Sequence, residues 1–230
     1  MDKKRLAAEH AADRIQDGMI VGLGTGSTAY WAIQKLGQRV REGLRIRGVP
    51  TSEHSKQLAV ELGIPLVNLA DVEQVDVTID GADEIDPDFH LIKGGGGALF
   101  REKMVAQHSK TVIIIADDSK LVERLGAFPL PVEVVPFGWE ITAKRIERLG
   151  CTAALRRAAN GDVFATDNGN RILDCRFGRI EAPASLHQTL KMLTGVVETG
   201  LFPHEADHVV IGTADGVVQK DRHAHPRAES

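Results

Sequence analysis

Short apolar runs alternate with helix-patterned segments along the first half of this chain, and that alternation restricts its fold more than any other feature. Met19-Ile-Val-Gly-Leu, Arg45 to Val49, Val75 to Asp80 and the very apolar Thr111 to Ala116 each read as a strand. Residues 2–16 carry Leu6, Ala7, Ala11 and Ile15 at amphipathic helix spacing. A glycine-rich turn at 22–28 leads into a helix through about Leu36, and Thr51-Ser52 cap another running toward Leu62. Strands alternating with helices make a parallel α/β sheet. Ligands of such sheets collect at the carboxyl ends of the strands. The loops at 22–28, 80–84, 93–97 and 116–120 all follow strands and are expected to converge on one edge.

The pattern changes at Phe128-Pro-Leu-Pro-Val. A strand at Val132, a helix from Gly138 to Leu149 and a strand from Thr152 to Arg157 come first. An Asn168-Gly169 turn, a strand from Ile172, a helix from Pro183 to Leu193 and a strand at Val196 follow. That βαββαβ order is the ferredoxin-like split unit. The expected organisation is a Rossmann-like domain of residues 1–127 plus 203–220, with a ferredoxin-like α+β insert at 128–202. His208-Val-Val-Ile-Gly and Val217-Val-Gln-Lys return the chain to the first sheet. The tail 221–230, with His223 and His225, reads as disordered.

Composition excludes several classes of function. A net charge of −4 gives no electrostatic footprint for nucleic acid or an anionic membrane. Aromatic residues, at 4%, are too few for base-stacking surfaces. The cysteines, Cys151 and Cys175, lack the C-x-x-C spacing of metal and redox motifs. With no apolar run near about 18 residues and no signal-like apolar core after Met1, a soluble cytoplasmic protein is expected.

The chemistry concentrates in the strand-following loops. Lys93-Gly-Gly-Gly-Gly-Ala-Leu-Phe-Arg-Glu-Lys103 holds the tetraglycine run, and such a run carries a large backbone-entropy cost. Amides free of Cβ atoms can turn toward a ligand and form a concavity that favours negative charge. A helix N-terminus follows directly. Glu102, on the side of that helix shared by Ala98, Leu99 and Ala106, is a carboxylate whose pKa apolar neighbours can raise toward that of a working base. A flexible surface loop before a solvated helix is the plainer alternative.

Gly22-x-Gly24-x-Gly26-Ser27-Thr28 sits where a dinucleotide fingerprint would, but its third glycine comes one residue early, and it lacks the P-loop lysine. What remains is a glycine turn with hydroxyls at a helix N-terminus, suited to phosphate or sugar hydroxyls, or simply an N-cap. Asp80-Gly81-Ala82-Asp83-Glu84 places two aspartates across a small turn, a pattern that also suits a divalent cation or an Asx-turn capped by Asp83. Lys120 adds a cation after the fourth strand. His204-Glu-Ala-Asp-His208 matches H-E-x-x-H, which binds zinc only on a helix. Pro203 before it and Val-Val-Ile-Gly after it point instead to His208 opening a strand.

Together, Gly22–Thr28, Asp80–Glu84, Lys93–Lys103, Asp117-x-Ser-Lys120 and the late Ile211-Gly-Thr-Ala-Asp-Gly-Val217 resemble the A-type ribose-5-phosphate isomerases over residues 1–220, with no departure at a motif position. The resemblance implies metal-free, cofactor-free interconversion of D-ribose 5-phosphate and D-ribulose 5-phosphate. It implies Glu102 as the proton-transferring base; on chemical grounds the developing anion calls for positive potential from Lys93 and the glycine amides, and ring opening for an acid–base partner, either Asp80 or Asp83. Substrate-binding positions implied are Thr25, Gly26, Ser27, Thr28, Asp80, Gly81, Ala82, Asp83, Lys93, Gly94, Gly95, Gly96 and Lys120. A homodimer or homotetramer acting on a small sugar phosphate, with no nucleic acid or membrane partner, completes the expectation. Two rivals are weaker. A sugar-phosphate sensor of the same fold would ordinarily carry a DNA-binding segment, and none is visible. A nicotinamide-dependent oxidoreductase would need the fingerprint that the first loop fails.

Overall fold

The computed structural model describes residues 2–222 and bears out the alternating pattern. One unit comprises the chain through Ala82, Arg101–Lys120, and the chain from His204 onward. Its parallel strands are β1 (Ile20–Leu23), β2 (Arg47–Pro50), β3 (Val75–Gly81), β6 (Ser109–Asp117) and β12 (His208–Thr213). The antiparallel β13 (Gly216–Asp221) closes one edge of a six-stranded sheet ordered β13-β12-β6-β3-β1-β2. Val112 to Ala116 of β6 are all buried, as a strand covered on both faces must be. Edge strand β13 instead ends in exposed Gln219, Lys220 and Asp221. Asp221 therefore belongs to the sheet rather than to a tail; His223 and His225 lie outside the described residues.

The helices of this unit are α1 (Lys3–Asp13), α2 (Ser27–Arg41), α3 (Glu53–Glu61) and, continuing out of the glycine run, α4 (Leu99–Gln107). Helix α1 buries Ala7, Ala8, Ala11 and Ala12, small side chains that let its backbone approach β12. The approach is close enough that a Cβ on Gly212 would fall 1.8 Å from the Lys3 carbonyl oxygen. Helices α1, α2 and α3 pack with Ile79, Ile113 and Ile115 in one core, while Val105 of α4 meets Val49 and Val75 in another. At about 1.5–3 kcal/mol per fully buried aliphatic side chain, these two layers supply the main stabilisation of the sheet. Ser52 caps α3 as expected, its hydroxyl accepting the Ser55 amide at 3.1 Å.

The second unit, Asp83–Phe100 and Leu121–Pro203, carries a four-stranded antiparallel sheet. Its strands are β7 (Leu130–Val134), β8 (Thr152–Leu155), β9 (Arg171–Arg176) and β10 (Val196–Thr199), and its helices are α5 (Trp139–Glu147) and α6 (Pro183–Lys191). The spatial order β10-β7-β9-β8, antiparallel throughout, is that of the ferredoxin-like unit. Leu130, Val132, Val134, Leu173 and Cys175 pack under Ala143, Ile146 and Leu190 of the helices. The Asn168-Gly169 turn is present, with Gly169 at φ +80° and the Thr166 amide donating to the Asn170 carbonyl at 3.0 Å. It leads into β9, but the segment joining β8 to β9 is longer than a tight hairpin and makes its own bridge between Arg157 and Val163.

A three-stranded sheet in this unit has no counterpart in the expected order. It consists of β4 (Glu84–Ile85), β5 (Leu91–Ile92) and β11 (Leu201–Phe202), all antiparallel, with β5 in the middle. The glycine run at 93–97 therefore follows β5 of this small sheet and not a strand of the parallel sheet, which corrects the expectation that all four loops lie on one sheet edge. Loops 24–26, 81–82 and 118–120 do follow the carboxyl ends of β1, β3 and β6.

Candidate active site

In the first unit, the parallel strands run in the order β2-β1-β3-β6-β12, which reverses direction between β1 and β3. Such a switch point opens a crevice at the strands' carboxyl ends. Here the Gly24–Gly26 turn and Asp80 meet there. Asp80, 2% exposed, accepts the Thr25 amide at 3.0 Å and the Gly81 amide at 2.7 Å on Oδ1. Gly24 makes this possible: a Cβ there would lie 2.3 Å from Asp80 Oδ1 and 2.6 Å from Asp80 Cα.

The Thr25 hydroxyl points into a cluster, 2.8 Å from the hydroxyls of Thr51 and Ser52 and 3.2 Å from that of Ser55. Ser55 in turn donates to the Gly24 carbonyl at 2.6 Å. The turn is thus tied to the start of α3, and the sequence alone did not reveal this role for Thr51, Ser52 and Ser55.

Gly26, at φ +105°, precedes α2 without any side-chain cap and with no acidic residue in the first turn. The N-terminal amides and helix dipole therefore present uncompensated positive potential beside exposed Ser27 and half-buried Thr28. Lys4 of α1 donates to the Ser27 hydroxyl at 3.0 Å, a contact no sequence spacing announced. After β6, burial pushes the Asp117 carboxyl up, but the Ser119 hydroxyl and amide with the Lys4 and Lys120 ammonium groups outweigh it and hold the carboxyl below its usual range. Lys120 and Lys4 thus act on one neighbourhood, which also includes Asp118, held by Lys3 at 2.8 Å. Gly81 and Ala82 are half-buried.

Glu102 stands in the first turn of α4 and is 4% exposed, with Lys103 beside it at 2%. Arg101 faces outward to Glu53 at 2.9 Å.

In the second unit, Lys93 directly follows β5. It is 3% exposed, its amide donates to the Gly200 carbonyl at 2.9 Å, and its Nζ lies 5.4 Å from the centre of the Phe202 ring. Gly94 and Gly97 have φ of +105° and +85°, and the Gly97 amide donates to the Gly94 carbonyl at 2.9 Å. The run is a tight turn whose apex, Gly95 and Gly96, is exposed. Asp83 accepts the Gly95 amide on Oδ2 at 2.7 Å, so that amide is committed to a side chain rather than left open. Asp83 itself is registered by its amide, which donates to the Ile92 carbonyl at 2.8 Å.

The H-E-x-x-H segment is not helical: His208 opens β12 and its Nδ1 lies 2.7 Å from Asp221 Oδ1, as a strand residue rather than a helical ligand.

The family model of ribose 5-phosphate isomerase A (phosphoriboisomerase A) matches residues 47–216. Ribose-5-phosphate isomerase A of Bacillus mycoides (strain KBAB4) is 56% identical over 218 residues, 94% of this chain and 98% of that protein. A solved ribose 5-phosphate isomerase A from Methanocaldococcus jannaschii superposes with a TM-score of 0.91 at 40% identity, covering 95% of this chain and 97% of that one. A D-ribose-5-phosphate isomerase solved in complex with phospho-erythronic acid gives a TM-score of 0.93 at 41% identity, over 96% of this chain and all (100%) of the other. With near full-length identity above one half and its fold reproduced by solved members, this chain belongs to the ribose 5-phosphate isomerase A family.

Proposed function

We propose that this chain is an aldose–ketose isomerase that interconverts D-ribose 5-phosphate and D-ribulose 5-phosphate through an enediolate, in the non-oxidative pentose phosphate pathway. Membership of the family carries the reaction. The observation that carries the choice of base is the burial of Glu102 at 4% exposure on the first turn of α4. One carboxylate near both carbons can take the C2 proton and return it to C1. The binding of phospho-erythronic acid by a solved relative supports a phosphorylated sugar as the ligand.

The remaining roles follow from chemistry. Negative charge developing on the sugar oxygens calls for fixed positive potential, which buried Lys93 and the amides of Gly94 and Gly96 are suited to supply, the Gly95 amide being taken up by Asp83. Ring opening needs an acid–base partner, a role that falls to Asp80 or Asp83. The phosphate suits the uncapped α2 N-terminus with Thr25, Gly26, Ser27 and Thr28, and the Lys120 ammonium, with Lys4 an added cation. Gly81 and Ala82 complete the proposed substrate-binding residues. In this reading no metal or cofactor takes part, and the proposed base, Glu102, belongs to the Rossmann-like unit.

The reading includes a cytoplasmic homodimer or homotetramer. Phe137, Ile141 and Met192 of the second unit, exposed at 95%, 60% and 85%, offer apolar side chains that a subunit contact would cover. No helix among the described residues is long and apolar enough to cross a membrane. The test is conversion of ribose 5-phosphate to ribulose 5-phosphate by the purified chain with chelator present. Turnover is expected. Binding of the sugar phosphate without turnover would favour a sensor instead.

A further inference from the structure

The carbonyl groups of Gly94 and Gly95 both turn toward one guanidinium. Arg156, which follows β8, donates from Nη1 to the Gly94 carbonyl at 2.8 Å and to the Gly95 carbonyl at 3.2 Å. Asp174 of β9 grips the same guanidinium from the other side, accepting Nε at 3.0 Å and Nη2 as well, so the fork is held bidentate. The Arg156 side chain is only 13% exposed, and its Cζ lies 5.9 Å from the centre of the Phe164 ring. Phe164 also floors the turn: a Cβ on Gly97 would fall 2.4 Å from its Cζ.

Peptide planarity converts those carbonyl contacts into amide directions. The Gly94 carbonyl and the Gly95 N–H belong to one trans peptide and point oppositely. Holding that carbonyl on Arg156 sends the Gly95 N–H to the far side, where it meets Asp83 Oδ2 at 2.7 Å. The same constraint on the next peptide turns the Gly96 N–H away from Arg156. A tetraglycine run has the widest choice of backbone conformations of any tetrapeptide, so some contact must select one.

We propose that Arg156, oriented by Asp174 and Phe164, is a positioning residue for the isomerisation. It fixes the Gly96 amide in the direction that the developing anion requires and, through the Gly95 amide, holds the Asp83 carboxylate in place. Arg156 touches no reacting atom. The proposal rests on the isomerase reading above.

The test compares wild type, Arg156→Ala and Arg156→Lys in steady-state isomerisation of ribose 5-phosphate, together with amide hydrogen exchange. Arg156→Ala should lower kcat by about tenfold to a hundredfold with little change in KM, because a misdirected Gly96 amide and a loosened Asp83 carboxylate weaken the transition state. Millimolar guanidinium chloride should restore part of that loss where equal sodium chloride does not, and Arg156→Lys should fall between the two. Exchange at residues 93–98 should quicken in Arg156→Ala while the cores of both units stay protected. An active wild type with both variants indistinguishable from it overturns the proposal. So does a loss that guanidinium does not relieve and that accompanies exchange across the whole second unit. A wild type without turnover overturns the isomerase reading instead, and this proposal with it.

Discussion

Gly24→Ala tests how the first glycine turn is built. A Cβ at that position would lie 2.3 Å from Asp80 Oδ1, 2.5 Å from Cγ and 2.6 Å from Cα. The two carboxylate atoms can swing away, but Asp80 Cα belongs to the middle of the sheet and cannot. Swinging the carboxylate sacrifices its bonds to the Thr25 and Gly81 amides, each worth about 1.5–3 kcal/mol for a charged acceptor. Relieving the clash with the backbone adds overpacking strain of about 1–3 kcal/mol. The sum, about 4–9 kcal/mol, consumes much of a typical folding stability of about 5–15 kcal/mol. Urea denaturation at fixed protein concentration should show a large fall in midpoint for Gly24→Ala. The double variant Gly24→Ala/Asp80→Ala should recover only part of it, since the clash with the β3 backbone survives. Stability within about 1 kcal/mol of wild type for the single variant, or full recovery in the double variant, would refute the reasoning.

Two further predictions concern titration and thiol chemistry. The Ile20 amide, at 2.8 Å, and then Lys110, at 2.7 Å, hold the Asp76 carboxyl below its usual range. Its stabilisation is therefore complete above the unfolded carboxylate value near about pH 4 and lost as pH falls through the lower folded value. Asp76→Asn should be less stable than wild type by about 1 kcal/mol at neutral pH, allowing for partial solvent screening, and chemical denaturation should find the difference shrinking toward acid. Contact with the Cys175 thiol holds the half-buried Cys151 thiol below its ordinary value, while the Cys151 thiol and burial push buried Cys175 up. Alkylation of native protein followed by peptide mapping should label Cys151 and spare Cys175 until the chain is unfolded.

Much of this architecture was legible because it is written in local periodicity. Apolar runs such as Val112 to Ala116 encode strands buried on both faces, and the switch to βαββαβ order marked the second fold. Strands β4, β5 and β11, of two residues each, were not legible, since two residues cannot display a period and their pairing is set by distant partners. The sequence alone therefore places the glycine run after a strand of the main sheet. At the site, Glu102 was readable from the apolar residues on its own side of one helix. Lys4 on Ser27 and Arg156 on Gly94 were not, because each contact joins segments far apart in sequence, 23 and 62 residues, with no motif linking them. Glycine counts pointed to the turns but not to the reason for each residue: Gly24 makes room for Asp80, whereas Gly94 and Gly97 supply positive φ.

The central claim is that Glu102 moves the proton between C2 and C1. The most direct measurement follows ribose 5-phosphate in deuterated buffer by NMR with wild type and Glu102→Gln, scoring both conversion and deuterium incorporation from solvent. Glutamine keeps the size and the buried position but cannot accept the proton. The account predicts conversion with label entering at the reacting carbons for wild type, and loss of both for a Glu102→Gln protein that is folded and still binds the sugar phosphate. Near-normal conversion by Glu102→Gln would contradict it, and another residue would have to be the base.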